Sequence, residues 1–273
     1  MVDESRGMVA YDGEAGPVQT YLARPSGEKP RPAVIVIHEI VGLTDHIKRV
    51  ADRFAQEGYV ACAPNLFSRP GLVEVMTPSN VGVAMQFMMT IPRDKWSDQA
   101  YIQQAASQLP QEKREMLLRV RSVMFGGIPK DRLTQDLVKA VDYLNAQGFV
   151  QSGKIVSVGF CFGGGMSINL ACHATLAASV VFYGENPNPI ERVENISCPV
   201  LGNYGAEDIR INAHLDELVK AMVTYKKDFE MRIYPNAAHA FFNDTTPMYN
   251  EAATKDAWGR VLRFYERALA KNV

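Results

Sequence analysis

The stretch VSVGFCFGGGM, residues 156–166, decides the fold. Its first three residues close a β-branched run, KIVSV over 154–158, that reads as a strand. Its last residues open a helix of small side chains, predicted over 163–174. Between them stands Gly159-Phe160-Cys161-Phe162-Gly163, a G-x-C-x-G sequence with the form of the nucleophile elbow G-x-S-x-G, sulfur replacing oxygen. A residue on such a strained strand-to-helix turn needs glycine neighbours, because larger side chains would collide with nearby backbone. The helix N-terminus beneath it favours a developing anion and lowers a thiol's pKa. The amide of Phe162 is placed to donate to an oxyanion. A cysteine here could equally be a small core residue in a glycine-rich turn. Its position between a β-rich strand and a glycine-rich helix start favours the nucleophile.

Outward from the elbow, strands and helices alternate. Two β-like runs, 7–11 and 18–23, precede a turn-rich segment, SGEKPRP over 26–32. AVIVIH (33–38) is a continuous apolar run, as in a strand buried on both faces of a parallel sheet. A helix is predicted over 45–57, with Ile47, Val50, Ala51 and Phe54 on one face and Gly58 closing it. YVACA (59–63) is the next buried strand. Beyond it come a helix over 134–147 stopped by Gly148, strands over 176–183 and 198–203, a helix over 212–227, a strand over 229–234 and a last helix over 248–271. The alternation implies class α/β, a mostly parallel sheet with helices on both faces.

Residues 70–130 break the rhythm. They contain MQFMM and MLLRVRSVMF, show no clear strand and read as two or three methionine-rich helices. The expectation is a helical insertion within one domain of residues 1–273, packed over the sheet's carboxyl edge. It either completes the globule, with methionines filling gaps, or caps a pocket and lends it apolar walls or a basic residue.

The 273 residues are 47% hydrophobic and 22% charged, which excludes a disordered or collagen-like chain. With 29 basic and 30 acidic residues, nothing favours nucleic acid or an anionic membrane as partner. No apolar run is long enough to span a membrane, and MVDESRGMVA lacks the marks of a signal peptide. The four cysteines include no C-x-x-C pair. A reducing, cytoplasmic setting is expected, with Cys62, Cys172 and Cys198 as buried structural thiols.

A nucleophile needs a base and an orienting acid, and in this architecture they follow it in chain order. Asp208 lies just past the strand ending near Asn203, and His239 lies in the loop after the final strand. Glu207 rivals Asp208 by adjacency, and the offset from the strand end favours Asp208. A second group, His38-Glu39-Ile40-Val41-Gly42, follows the 33–38 strand. It mimics half of the zinc motif H-E-x-x-H, but Gly42 occupies the second histidine's place, so no metal is expected. Ile40 is the candidate for a second oxyanion amide, with Glu39 projecting towards the elbow. His46 and His214 are expected on helix surfaces, and His173 at a helix end. The glycine-rich stretch lacks the G-K-[ST] ending of a phosphate-binding loop, and no cofactor is required.

These residues together resemble the dienelactone hydrolase family, within the α/β-hydrolase fold. The resemblance rests on VIVIHEIVGLTDHIKRVADRFAQEGYVACAPNLFSR, VSVGFCFGGGMS, VVFYG, YGAEDIRIN and YPNAAHAFFND. It implies that Cys161, Asp208 and His239 form a triad, and that Glu39 contacts the resting thiol and helps generate the thiolate. It also implies that Ile40 and Phe162 supply the oxyanion amides and that Tyr183 lines the site. The family binds a substrate carboxylate with two arginines. One position, four residues after the histidine, is Asn243 here. For the other, Arg114, Arg119 and Arg121 are candidates, with Arg119 taken as the substrate-binding one. The implied reaction is hydrolysis of a small unsaturated lactone, dienelactone to maleylacetate, in the breakdown of chlorinated aromatics. The partner implied is the small lactone or ester substrate, with the oligomeric state left open. A cysteine-dependent esterase or thioesterase is the alternative, and a non-catalytic binding protein of the same fold a third.

Overall fold

The computed structural model describes residues 5–96 and 98–270. Eight strands form one sheet: β1 (Arg6–Gly13), β2 (Gly16–Ala23), β3 (Arg31–Ile37), β4 (Val60–Pro64), β5 (Val150–Phe160), β6 (Ala178–Phe182), β7 (Val200–Gly205) and β8 (Phe229–Tyr234). Their order across the sheet is β1-β2-β4-β3-β5-β6-β7-β8. The β1–β2 and β2–β4 pairs are antiparallel and the rest are parallel. This is the α/β-hydrolase fold that the resemblance implied.

The alternation of strand side chains builds two cores. Ala33, Ile35 and Ile37 of β3 face one layer and Val34 and Val36 the other, all fully buried. The first layer is α5 (Lys130–Asn145), α6 (Phe162–Ala171) and α8 (Leu215–Thr224). The second is α1 (Asp45–Gln56) and α9 (Glu251–Ala270). Phe54 of α1 is buried against Trp258 of α9, ring centroids 4.5 Å apart. Burying such a ring contributes about 1.5–3 kcal/mol.

Segment 70–130 holds α2 (Pro78–Met89), a 3₁₀ turn (Arg93–Lys95), α3 (Gln99–Ala106), α4 (Gln111–Ser122) and a π-turn (Val123–Gly127). Leu72, Val75, Met76 and Val81 join the first core, while Met88, Ile91 and Ile102 form a small cluster of their own. The chain enters this segment from the carboxyl end of β4. On the way Phe67 packs against His38 and Phe162, at 4.8 and 5.6 Å between ring centroids.

Two expectations need correction. The helix predicted over 212–227 is α8, and a separate helix of one turn, α7 (Ile209–Asn212), precedes it. Asp208 caps α7 by accepting from the Ile211 amide at 3.4 Å, so the helical path starts before the apolar periodicity does. His46, expected on a helix surface, is buried, and its Nδ1 lies 2.9 Å from Asp244. Among the described residues no helix is long and apolar enough to cross a membrane.

Candidate active site

Cys161 sits between β5 and α6 with φ 55° and ψ −116°, a conformation that L-residues rarely adopt. Its amide donates to the Phe182 carbonyl at 3.0 Å, and its carbonyl accepts from Gly164 at 2.9 Å. The glycines have a steric reason. A Cβ on Gly159 would overlap the Gly163 carbonyl, one on Gly163 would overlap the Ile37 carbonyl, and one on Gly164 would stand 2.5 Å from the Phe182 carbonyl. The elbow is therefore held by backbone on backbone at the centre of the sheet. Cys161 is half-buried, whereas burial pushes the Cys62, Cys172 and Cys198 thiols up to about 12.

The loops after β7 and β8 bring in the next two groups. A Cβ on Gly205 would overlap the Ala237 carbonyl, so the loops touch directly. The Glu207 amide donates to Ala237 at 3.0 Å and the Ala206 amide to Tyr234 at 2.9 Å. Glu207 itself points to solvent, while Asp208 is buried. Asp208 Oδ2 accepts from His239 Nδ1 at 2.5 Å, which leaves Nε2 for the thiol side. Burial alone would lower the His239 pKa. Hydrogen bonds to Asp208 and to Cys161 overcome it and raise it to about 10.

His38 and Glu39 follow β3. The Leu66 amide donates to His38 Nε2 at 3.1 Å, so Nδ1 carries the proton and donates to the Glu39 carbonyl at 2.7 Å. Burial lowers the His38 pKa to about 4. It is a neutral latch that fixes the loop, a role its position at a strand end did not disclose. The Ile40 amide in that loop has no backbone partner among the described residues. The Phe162 amide, first in α6, has none within its helix.

Glu39 is buried, and burial raises its carboxyl to about 7. The Asn243 amide, whose Nδ2 donates to Glu39 Oε2 at 2.6 Å, and the charge of His239 both act to lower it. Tyr183, at the end of β6 with φ 38°, is fully buried with its ring 5.0 Å from that of His239. Burial first, then the charges of Glu39 and Cys161, hold its hydroxyl well above the usual tyrosine range.

The two positions matched to the family's carboxylate-binding arginines differ in their surroundings. Asn243 is buried, and its Oδ1 accepts from the Thr245 amide and hydroxyl at 3.0 and 2.7 Å. With Nδ2 on Glu39, both ends of its amide are occupied within the protein. Arg119 is exposed on α4. The sequence did not single out a cleft of about 510 Å³ that opens beside Phe162, lined also by Lys130, Met166, Asn169 and Arg192. Lys130 pairs with Glu185 at 2.9 Å and Arg192 with Asp131 at 2.7 Å. No spacing in the chain marks these cations, because the start of α5 and the turn after β6 meet only in the fold.

Comparison with known proteins bears on the family and the fold. Residues 18–269 match the model of the dienelactone hydrolase family. A protein of Saccharolobus solfataricus named "Putative carboxymethylenebutenolidase" is 41% identical over 262 residues, 95% of this chain and 97% of that protein. One of the same name from Escherichia coli K12 is 26% identical, over 96% of this chain and 86% of its own length. The crystal structure titled as a putative dienelactone hydrolase of Klebsiella pneumoniae superposes with a TM-score of 0.74 at 26% identity, over 96% of this chain and 98% of that one. Elbow, sheet order and sequence thus agree, and the chain belongs to the dienelactone hydrolase family of hydrolases.

Proposed function

We propose that the protein hydrolyses small unsaturated lactones of the dienelactone type, by acyl transfer through Cys161. The observation that carries this reading is the chain of contacts from Cys161, on its strained turn at the head of α6, through His239 to Asp208. The Cys161 sulfur, its proton on His239, attacks the lactone carbonyl carbon while the Ile40 and Phe162 amides hold the oxyanion. The ring C–O bond breaks, and the enolate oxygen leaves with a proton from His239. Neutral His239, oriented by Asp208, then takes a proton from water as the oxygen attacks the thioester. The C–S bond breaks, and the thiolate is regenerated beside the imidazolium. Glu39, buried and raised to about 7, is placed in this reading to exchange a proton with the resting thiol.

The test is steady-state turnover of cis- and trans-dienelactone by absorbance, with wild type and Cys161→Ala. Loss of lactone with wild type alone is expected. Equal turnover by both proteins would remove Cys161 from the mechanism. A second reading, a cysteine-dependent esterase or thioesterase for neutral acyl groups, draws on one observation: Asn243 is occupied by Glu39 and Arg119 faces solvent on α4. A neutral ester turned over much faster than the anionic lactone would select it.

A further inference from the structure

We infer that β8 is the seat of a two-fold homodimer, in which the strand pairs antiparallel with its copy about Met231 and joins the two sheets into one. Strand β8 ends the sheet, and among the described residues no strand lies beyond it. The carbonyls of Asp228 and Tyr234 accept from Val200 and Ala206, so the even-numbered residues turn their polar backbone groups towards β7. Phe229, Met231 and Ile233 therefore turn theirs outward. No proline or bulge interrupts the strand, which leaves open the kind of edge that proteins usually blunt.

The side chains select the occupant and the register. Phe229, Met231 and Ile233 lie opposite Val200, Gly202 and Tyr204, so they share the face that α8 covers. Yet Met231 and Ile233 are 42% and 40% exposed, and Val223 on α8 is 71% exposed. Glu230 and Arg232 lie on the α9 face, where Glu230 meets Arg267 at 2.6 Å and Arg232 lies over the Tyr234 ring at 5.7 Å. Pairing about Met231 sets Glu230 opposite Arg232 of the copy, twice, at positions where facing side chains approach most closely. It also matches the three outward backbone pairs, Phe229 with Ile233, Met231 with itself, and Ile233 with Phe229. Neighbouring registers fail. Centring on Glu230 or Arg232 sets like charges face to face, and centring on Phe229 sets Asp228 against Glu230. Centring on Ile233 sets Met231 against Pro235, which has no N–H to give. A strand whose one satisfactory partner is its own reverse fits a second copy of this chain.

The experiment uses the full chain. Sedimentation velocity from 1 to 100 µM should show wild type approaching twice the 30.3 kDa chain mass. Glu230→Arg alone and Arg232→Glu alone each set like charges at both cross-strand pairs, so each should weaken association at least ten-fold. Mixed one to one, the two variants present complementary strands, and the dimer should return. A wild type that stays monomeric throughout overturns the inference. So do single variants that dimerise as wild type does, and single variants that fail to associate when mixed. Circular dichroism checks folding. Should either variant misfold, Met231→Lys, which places two ammonium groups on the axis, is read in the same way.

Discussion

Asn243 Nδ2 donates to Glu39 Oε2 across 2.6 Å, between two loops 204 residues apart. The asparagine thus supports a buried carboxylate. Asn243→Ala leaves that carboxylate short of a donor, at a cost of about 1–3 kcal/mol. The cost is larger at pH 8, where Glu39 is ionised, than at pH 5, where it is protonated. Urea unfolding at the two pH values measures the difference, and equal costs would contradict the contact.

Glu39 and His38 are neighbours with opposite pH linkage. The Glu39 carboxyl is raised by burial from 4.5 to about 7, so its contribution to stability is fully present below 4.5 and lost as pH rises through 7. His38 is lowered by burial from 6.5 to about 4, so its contribution is present above 6.5 and lost as pH falls through 4. Glu39→Gln removes the first. Its unfolding free energy relative to wild type should grow by roughly 3 kcal/mol between pH 4.5 and 8. A flat difference across that range would contradict the raised carboxyl.

Asp208→Asn withdraws one of the hydrogen bonds that lift His239 against its burial to about 10. The imidazole pKa should fall, as read by NMR titration of the ring protons. Turnover should drop by roughly 10²–10⁴-fold, because the amide no longer fixes the productive tautomer. An unchanged titration would show that Cys161 alone holds the proton on the ring.

Native protein should take up one equivalent of iodoacetamide at pH 7.5. Cys161 is half-buried at a helix start, while the other three thiols are buried and raised to about 12. Peptide mass mapping should place the label on Cys161. Labelling spread over several cysteines would count against this difference in environment.

Gly163→Ala and Gly165→Ala form an internal control. The first methyl would overlap the Ile37 carbonyl in the sheet centre, and the second would stand 3.3 Å from the Glu185 carbonyl near the surface. The first should cost at least about 3 kcal/mol or abolish soluble expression, and the second about 1 kcal/mol or less. Similar melting temperatures for both would refute the close backbone approach.

The elbow and the order of its partners were legible in the sequence because both are local. Cys161 is announced by its glycines, and Asp208 and His239 by the strands before them. Their contact at 2.5 Å needed the fold, since it depends on the Gly205–Ala237 approach between two loops. His46 was misplaced because its helix periodicity cannot see Phe242 and Asp244, which meet its ring from the far end of the chain. Asn243 and Arg119 were assigned by position in a family pattern, and position does not say where an amide or a guanidinium points. The early start of α7 escaped because Asp208 caps it while also serving His239, and hydrophobic spacing does not register a cap.

The backbone contacts at Gly159, Gly163, Gly164 and Gly205 leave no side chain in the joints that carry the sulfur and the imidazole. A frame of that kind has no adjustable parts, and its dimensions do not depend on what the neighbouring segments are made of. Residues 70–130 supply none of these joints, and Phe67, just before them, meets the site through its ring on His38 and Phe162. A lineage can therefore rewrite that segment without rebuilding the turn that holds Cys161 or the loops that hold Asp208 and His239.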